Sequence, residues 1–129
     1  MVDDKKIRIL VIDDEAIIRD LLKDILEMLN YEVLITGSPK EAIQIFASEH
    51  KSIHLVILDM IMPEMNGRQL FRELKCIKPS VKGILLSGYS LEGEVEKSLS
   101  EGIIDFLQKP VSIKELSSVL QRITNLDPM

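Results

Sequence analysis

Four short apolar runs in this chain end at residues that could do chemistry together. Ile7–Ile12 (IRILVI) is followed by Asp13, Asp14 and Glu15; Ile53–Leu58 (IHLVIL) by Asp59; Gly83–Leu86 (GILL) by Ser87; and Ile104–Leu107 (IDFL) is followed, one residue on, by Lys109. If these runs are parallel strands of one sheet, their ends share an edge, and several carboxylates converge with one hydroxyl and one ammonium. Two unit charges about 4 Å apart at an effective dielectric of about 20 repel by about 4 kcal/mol. Ionised aspartates in one pocket therefore need a cation. Lys109 supplies one positive charge, and a hard divalent ion bound by oxygens supplies more. Mg²⁺ suits a site of few carboxylates completed by phosphate and water oxygens.

Taken singly, each piece has a plainer explanation. Asp3-Asp4 is the same dipeptide as Asp13-Asp14 and reads as a solvated tail; Asp13 or Asp14 could cap a helix. Ser87 before Gly88 could open a loop, and Lys109-Pro110 could be an ordinary strand exit, since proline stops helical continuation. Asp59 is harder to explain this way, because Met60-Ile61-Met62-Pro63 rather than turn residues follow it. What makes the set informative is its place on one edge of one sheet.

The elements that would build that edge alternate along the chain. The four runs, with Tyr31–Ile35 (YEVLI), predict five short strands, several nearly continuous in apolar residues, as when helices cover both faces of a parallel sheet. Between them, Ile18, Leu22, Ile25 and Leu29 predict a helix from about Glu15 to Leu29. Ala42, Ile43 and Phe46 predict a second, Leu70, Leu74 and Ile77 a third, Leu91, Val95 and Leu99 a fourth with a thinner stripe, and Ile113, Leu116, Leu120 and Ile123 a fifth. Ser38-Pro39-Lys40-Glu41 predicts a serine cap, a proline in the first turn and a reciprocal glutamate; Ser112 with Glu115 and Asn66 with Gln69 repeat the pattern. Five strands alternating with five helices imply an α/β flavodoxin-like doubly wound (βα)5 sandwich with parallel sheet order 2-1-3-4-5, whose strands one and three meet at the switch point where such sheets bind ligands.

Composition bounds the rest. The chain has 129 residues, 46% hydrophobic and 29% charged, which fits one globular domain (1–129, core about 6–124) rather than a disordered segment. No apolar run reaches the about 18 residues of a membrane span, and the polar start Met1–Lys6 lacks a signal peptide's apolar stretch. One cysteine, Cys76, excludes an internal disulfide and suggests a reducing, cytoplasmic setting. A net charge of −5 argues against direct nucleic-acid binding. His50 and His54 straddle a helix exit, so no metal pair is expected there; Met60, Met62 and Met65 read as packing; no phosphate loop or dinucleotide fingerprint occurs.

The segments Val11-Ile12-Asp13-Asp14-Glu15, Leu58 to Gly67 (LDMIMPEMNG), Leu85-Leu86-Ser87-Gly88 and Gly102 to Pro110 (GIIDFLQKP) resemble, in order and spacing, the receiver domain of two-component response regulators. The resemblance spans about Lys6 to Thr124. It implies that Asp59 is the phosphoacceptor for a phosphohistidine donor. It also implies that Asp13 and Asp14 hold Mg²⁺ with Asp59 and the backbone carbonyl of Ile61. Lys109 would pair with the aspartate and then the phosphoryl group. Ser87 would be drawn to that group, with Phe106 as the aromatic switch, and the bond before Pro110 would be cis. The resemblance implies as partners a histidine kinase or histidine phosphotransfer protein, docking near Ile17 and Ile18 and the loop after Lys109, and an unknown output protein. A switching surface is expected on the fourth helix, the fifth strand and the fifth helix.

Few residues depart from the family pattern. Ser87 stands where threonine is commoner, Gly88 where alanine is usual, and Phe106 lacks a tyrosine hydroxyl, so its burial needs no hydrogen-bond partner. Ile61 and Tyr89 offer no general base near the site, so no fast loss of phosphate is expected. Two competing functions are a docking module that works unphosphorylated, disfavoured by the intact acidic pair, Asp59, Ser87 and Lys109, and a Mg²⁺-dependent aspartyl-phosphate phosphatase, disfavoured because Asp13-Asp14-Glu15 is not Asp-x-Asp and no cap domain occurs. The expectation is a switch rather than a turnover enzyme. No output domain is expected within the chain, so output runs through protein contact or the chain belongs to something larger. Ser87-Gly88-Tyr89-Ser90 and the run into the fifth helix look like receivers attached to hybrid sensor kinases.

Overall fold

The computed structural model describes residues 7–88 and 101–125. Five parallel strands, β1 (Arg8–Ile12), β2 (Glu32–Thr36), β3 (Leu55–Asp59), β4 (Gly83–Ser87) and β5 (Ile103–Gln108), form one sheet in the order β2-β1-β3-β4-β5. The helices are α1 (Ala16–Met28), α2 (Pro39–Glu49), α3 (Gly67–Ile77) and α4 (Ile113–Asn125). The expected helix carrying Leu91, Val95 and Leu99 lies outside the described residues. Among the described residues, no helix is long and apolar enough to cross a membrane.

Strand side chains alternate between the two faces, and both faces are covered. Ile9, Val11, Ile57 and Leu86 pack with Leu22 and Leu26 of α1 and Leu116 and Leu120 of α4; Leu10, Ile12, Leu58 and Leu85 pack with Phe46 of α2 and Phe71 and Leu74 of α3. This is why β1, β3 and β4 each carry three or four consecutive buried apolar residues. Each helix contributes one apolar stripe to one face. Ile113, expected in the last of these stripes, is instead 50% exposed at the first turn of α4, ahead of the buried Leu116.

All three caps accept their N–H, but only Asn66 closes the full reciprocal box. Asn66 accepts from the Gln69 N–H while the Gln69 side chain accepts from the Asn66 N–H, closing a capping box on α3. Ser112 accepts from the Glu115 N–H at 3.0 Å. Ser38 accepts from the Glu41 N–H, but the reciprocal bond is not made: the Glu41 carboxylate takes the Thr36 hydroxyl instead. Thr36 is buried at the end of β2, so its hydroxyl needs a partner, and its oxygen in turn accepts the Ser38 N–H at 3.2 Å.

The pairing of β4 with β5 shifts by one residue: Gly83 faces Ile103, but Ile84 faces Asp105. Ile104 is the extra residue of this β-bulge and is 39% exposed. One inserted residue reverses the alternation. Ile103 and Phe106, three apart, consequently lie on the same sheet face, against the α2/α3 cluster, while Leu107 joins the α1/α4 cluster.

Candidate functional site

Asp13 comes directly after β1, and its main chain is fixed on both sides. Its N–H donates to the Thr36 carbonyl on β2 at 3.1 Å, and its carbonyl accepts from Arg19 Nη1 on α1 at 2.8 Å. Its carboxylate is fully buried, with Oδ1 accepting the Glu15 N–H at 2.9 Å in a local turn. Asp13, rather than a side chain at the Glu15 cap position, thus organises the entry to α1. Asp14 is exposed beside it. Asp59 is the last residue of β3, 4% exposed, with Oδ1 accepting the Ile61 N–H at 3.3 Å.

Lys109 follows β5 across the edge. Its Nζ lies 3.0 Å from Asp13 Oδ2, 3.0 Å from Glu15 Oε1 and 3.3 Å from Asp59 Oδ2. The backbone is held too, because the Lys109 N–H donates to the Ser87 carbonyl at 2.7 Å. The Lys109-Pro110 peptide is cis, as the resemblance implied. Burial alone would lower the Lys109 pKa. The close approach of Asp13 and Glu15 and the charges of Asp13 and Asp59 outweigh it, and the ammonium is held above its ordinary range. Asp59 moves the other way. Burial first, then the neighbouring Asp13 charge, push its carboxyl up to about 7, against the opposing pull of Lys109 and the Ile61 N–H.

Asp59, Asp14, Glu15, Ile61, Gly88 and Lys109 line an open cleft of about 460 Å³. Oxygens of Asp13, Asp14 and Asp59 come within 4.8 Å of one another. The donors are all hard oxygens. Asp13 Oδ2 faces Lys109 without a well-aligned hydrogen bond and is buried with none. Lys109 pairs with Asp13, Glu15 and Asp59, and Asp14 lies alongside, so one ammonium leaves negative charge in place. This donor set fits a hard divalent cation.

The structure thus brings together Asp13, Asp14, Asp59 and Lys109, with Ile61 at the cleft wall. Ser87 ends β4 at the same edge and is buried, 3% exposed. Phe106 stands apart from the cleft: it pairs with Leu85 inside β5 and its ring is half-buried against the α2/α3 cluster. Two residues at the site carry more than their sequence signal suggested. Glu15 shares Lys109, and Arg19 holds Asp13; a glutamate after two aspartates and one arginine in a helix carry no pattern that would single out either role. His54 Nδ1 accepts the Arg8 N–H at 3.0 Å, away from this edge.

The family model described as response regulator receiver domain matches residues 9–121. The chain is 38% identical over 123 residues to the probable transcriptional regulator ycf27 of Porphyridium aerugineum, covering 92% of this chain and 50% of that protein. It is 35% identical over 118 residues to the response regulator SaeR of Staphylococcus aureus (strain USA300), covering 92% and 49%. The chain therefore spans about half the length of the curated relatives it matches. A crystal structure of a response regulator receiver domain protein from Clostridium thermocellum superposes with a TM-score of 0.86 at 37% identity, covering 92% of this chain and 94% of that one. A CheY-like receiver domain protein from Methanospirillum hungatei JF-1 gives 0.82 at 32% identity, covering 93% and 94%. With the ordered motifs, the sheet order and the acidic edge, these matches show that the chain belongs to the response regulator receiver domain family.

Proposed function

We propose that this receiver domain is a phosphorylatable switch in which Asp59 accepts a phosphoryl group from a phosphohistidine donor. The observation that carries the proposal is the position of Lys109 Nζ, 3.0 Å from Asp13 and 3.3 Å from Asp59, at a cleft that Asp14 also lines. In the transfer, an Asp59 carboxylate oxygen forms a bond to phosphorus as the phosphorus–nitrogen bond of the donor breaks. The bonding pair leaves with the imidazole; with the donor ring protonated at its other nitrogen, the products are an acyl phosphate and a neutral histidine. Asp13, Asp14, Asp59 and the Ile61 carbonyl would hold Mg²⁺. When bound, it supplies positive charge to the equatorial phosphoryl oxygens.

The chain's own groups do the rest. Lys109 neutralises Asp13 and Asp59 before transfer and donates a charge-assisted bond to a phosphoryl oxygen afterwards. Ser87 donates its hydroxyl to another. These bonds belong only to the phosphorylated state, so they bias a two-state element. Phe106, half-buried inside β5 and away from the cleft, is the ring that follows Ser87 inward, altering the surface of β5 and α4 that an output protein reads. The histidine kinase or phosphotransfer protein docks near Ile17, 81% exposed on α1, and Ile113 after Lys109. The domain is a stoichiometric acceptor rather than a turnover enzyme.

The test is intact mass after incubation with acetyl phosphate, with and without Mg²⁺, for the native chain and Asp59→Asn. One phosphoryl adduct on the native chain, absent in the variant and absent without Mg²⁺, is the expected result. No adduct, with acetyl phosphate or with a phosphorylated histidine protein as donor, would replace this reading with a docking module that works unphosphorylated.

A further inference from the structure

We infer that Arg19 is a positioning residue for the cation pocket, acting through the backbone of Asp13 and seated by Gly37. The inference rests on the divalent-cation reading of the site. Arg19 leaves α1 one turn after Glu15 and donates from Nη1 to the Asp13 carbonyl at 2.8 Å. The guanidinium reaches that oxygen over Gly37, the residue after β2: a Cβ at Gly37 would stand 2.3 Å from Arg19 Nη1 and 3.1 Å from Cζ. The same Cβ would be 3.4 Å from the Asp13 carbonyl oxygen, so the glycine, the guanidinium and the Asp13 peptide share one packed contact. On the other side of the Asp13 Cα, the Asp13 N–H is bonded to the Thr36 carbonyl on β2.

The arrangement fixes an otherwise loose point. Asp13 lies just beyond the last ladder residue of β1 and before the first helical residue of α1. There neither a strand nor a helix orients its peptide. Its carboxylate must nonetheless sit within 3.0 Å of Lys109 and within 4.8 Å of the Asp14 and Asp59 oxygens. With the peptides on both sides of its Cα clamped, only side-chain rotation is left to settle, and the Glu15 N–H settles that by bonding Oδ1. Arg19 touches none of the carboxylate oxygens. Its effect passes through the Asp13 main chain, in the way that groups around a ligating carboxylate orient it for the ion.

Three variants and one double variant test this: Arg19→Ala, Arg19→Lys, Gly37→Ala, and Arg19→Ala with Gly37→Ala. Gly37→Ala displaces the guanidinium without altering it, and it decides the matter if Arg19→Ala folds poorly. Two quantities are read: the Mg²⁺ dissociation constant by calorimetric titration, and amide hydrogen exchange at Asp13 and Glu15 in the metal-free protein. Arg19→Ala and Gly37→Ala should each weaken Mg²⁺ binding about tenfold, the low end for groups orienting a metal ligand. Each should also speed exchange at Asp13 and Glu15 about tenfold while core amides of β1 and β3 stay unchanged. Arg19→Lys should recover part of both losses, and the double variant should lose no more than either single one, because both break the same contact. Affinity and exchange within twofold of native in Gly37→Ala, or additive losses in the double variant, would overturn the inference. If native protein binds no Mg²⁺ at all, the cation reading of the site fails, while the metal-free exchange still reports whether Arg19 holds Asp13.

Discussion

Gly67 lies directly against the backbone of Asp59: a Cβ at Gly67 would stand 2.5 Å from the Asp59 carbonyl oxygen and 3.1 Å from its carbon. The Gly67 N–H also donates to the Met60 carbonyl at 2.9 Å, so the first turn of α3 is pressed onto the loop that leaves the candidate phosphoacceptor. The Leu85 side chain, at 2.9 Å from the same point, closes the other side.

Gly67→Ala should therefore cost about 1–3 kcal/mol, as overpacking of a tight site does. The obstructing atom is backbone that carries a site residue, so acyl phosphate formation should slow as well. Urea denaturation gives the first quantity and the time course of the phosphoryl adduct the second. Stability and rate both at the native level would show that the loop after Asp59 yields freely.

The raised pKa of Asp59 makes metal-free stability depend on pH. In the folded chain the carboxyl titrates at about 7, against 3.8 for the ordinary group, so between those values the folded state holds a proton that the unfolded state has lost. Stability should fall as pH rises from about 4 to about 7 and level off above. Asp59→Asn removes that dependence. The variant should be more stable than native by about 2 kcal/mol at pH 8, less than the isolated shift implies because the surrounding charges relax around the ionised carboxylate, and nearly equal to native at pH 4. Millimolar Mg²⁺ should shrink the difference by favouring the ionised form. Thermal melts of both proteins across pH 4 to 8 check this; a variant advantage that does not grow with pH would contradict it.

Glu101, two residues before Ile103, gathers three cations of α3. Arg68 binds its carboxylate through two bonds at 3.0 and 3.2 Å, Arg72 adds one at 2.8 Å, and Lys75 takes its carbonyl at 2.9 Å. Burial alone would raise the Glu101 pKa, but the two arginines outweigh it and hold the carboxyl below its ordinary value of 4.5. The stabilisation is therefore full above that value and is lost as pH falls through the lower folded one. Glu101→Gln should cost about 0.5–1 kcal/mol at pH 7, discounted for solvent screening. The cost should narrow below pH 4.5 and in high salt. Urea denaturation across pH and salt measures it, and a cost indifferent to both would mean that shape rather than charge holds the contact.

Much of this domain is legible in its residues. Apolar runs without polar alternation required a sheet covered on both faces, and the stripes of Leu22, Ile25 and Leu116, Leu120 supplied the covers. With short crossovers, these elements led to the order found, β2-β1-β3-β4-β5. Asp13, Asp59, Ser87 and Lys109 could be placed on one edge because each stands at the end of a parallel strand, which is a matter of position along the chain. Asn66 and Gln69 closed their box because both partners lie within one helical turn.

What only the tertiary structure decided depends on contacts between distant residues or on a single inserted one. Glu41 left its cap for the buried Thr36 hydroxyl, whose oxygen in turn accepts the Ser38 N–H that Glu41 would have taken. Phe106 shares a sheet face with Ile103 because Ile104 bulges out of the β4–β5 ladder, and strict alternation in the sequence would have separated the two. Lys109 chose Glu15 as well as Asp13 and Asp59, a contact spanning 94 residues of chain. Periodicity and capping are local, set by backbone geometry within a few residues, so the sequence alone determines the elements and the edge they share. Side-chain reach across that edge is set by packing, and it decides which charges meet there.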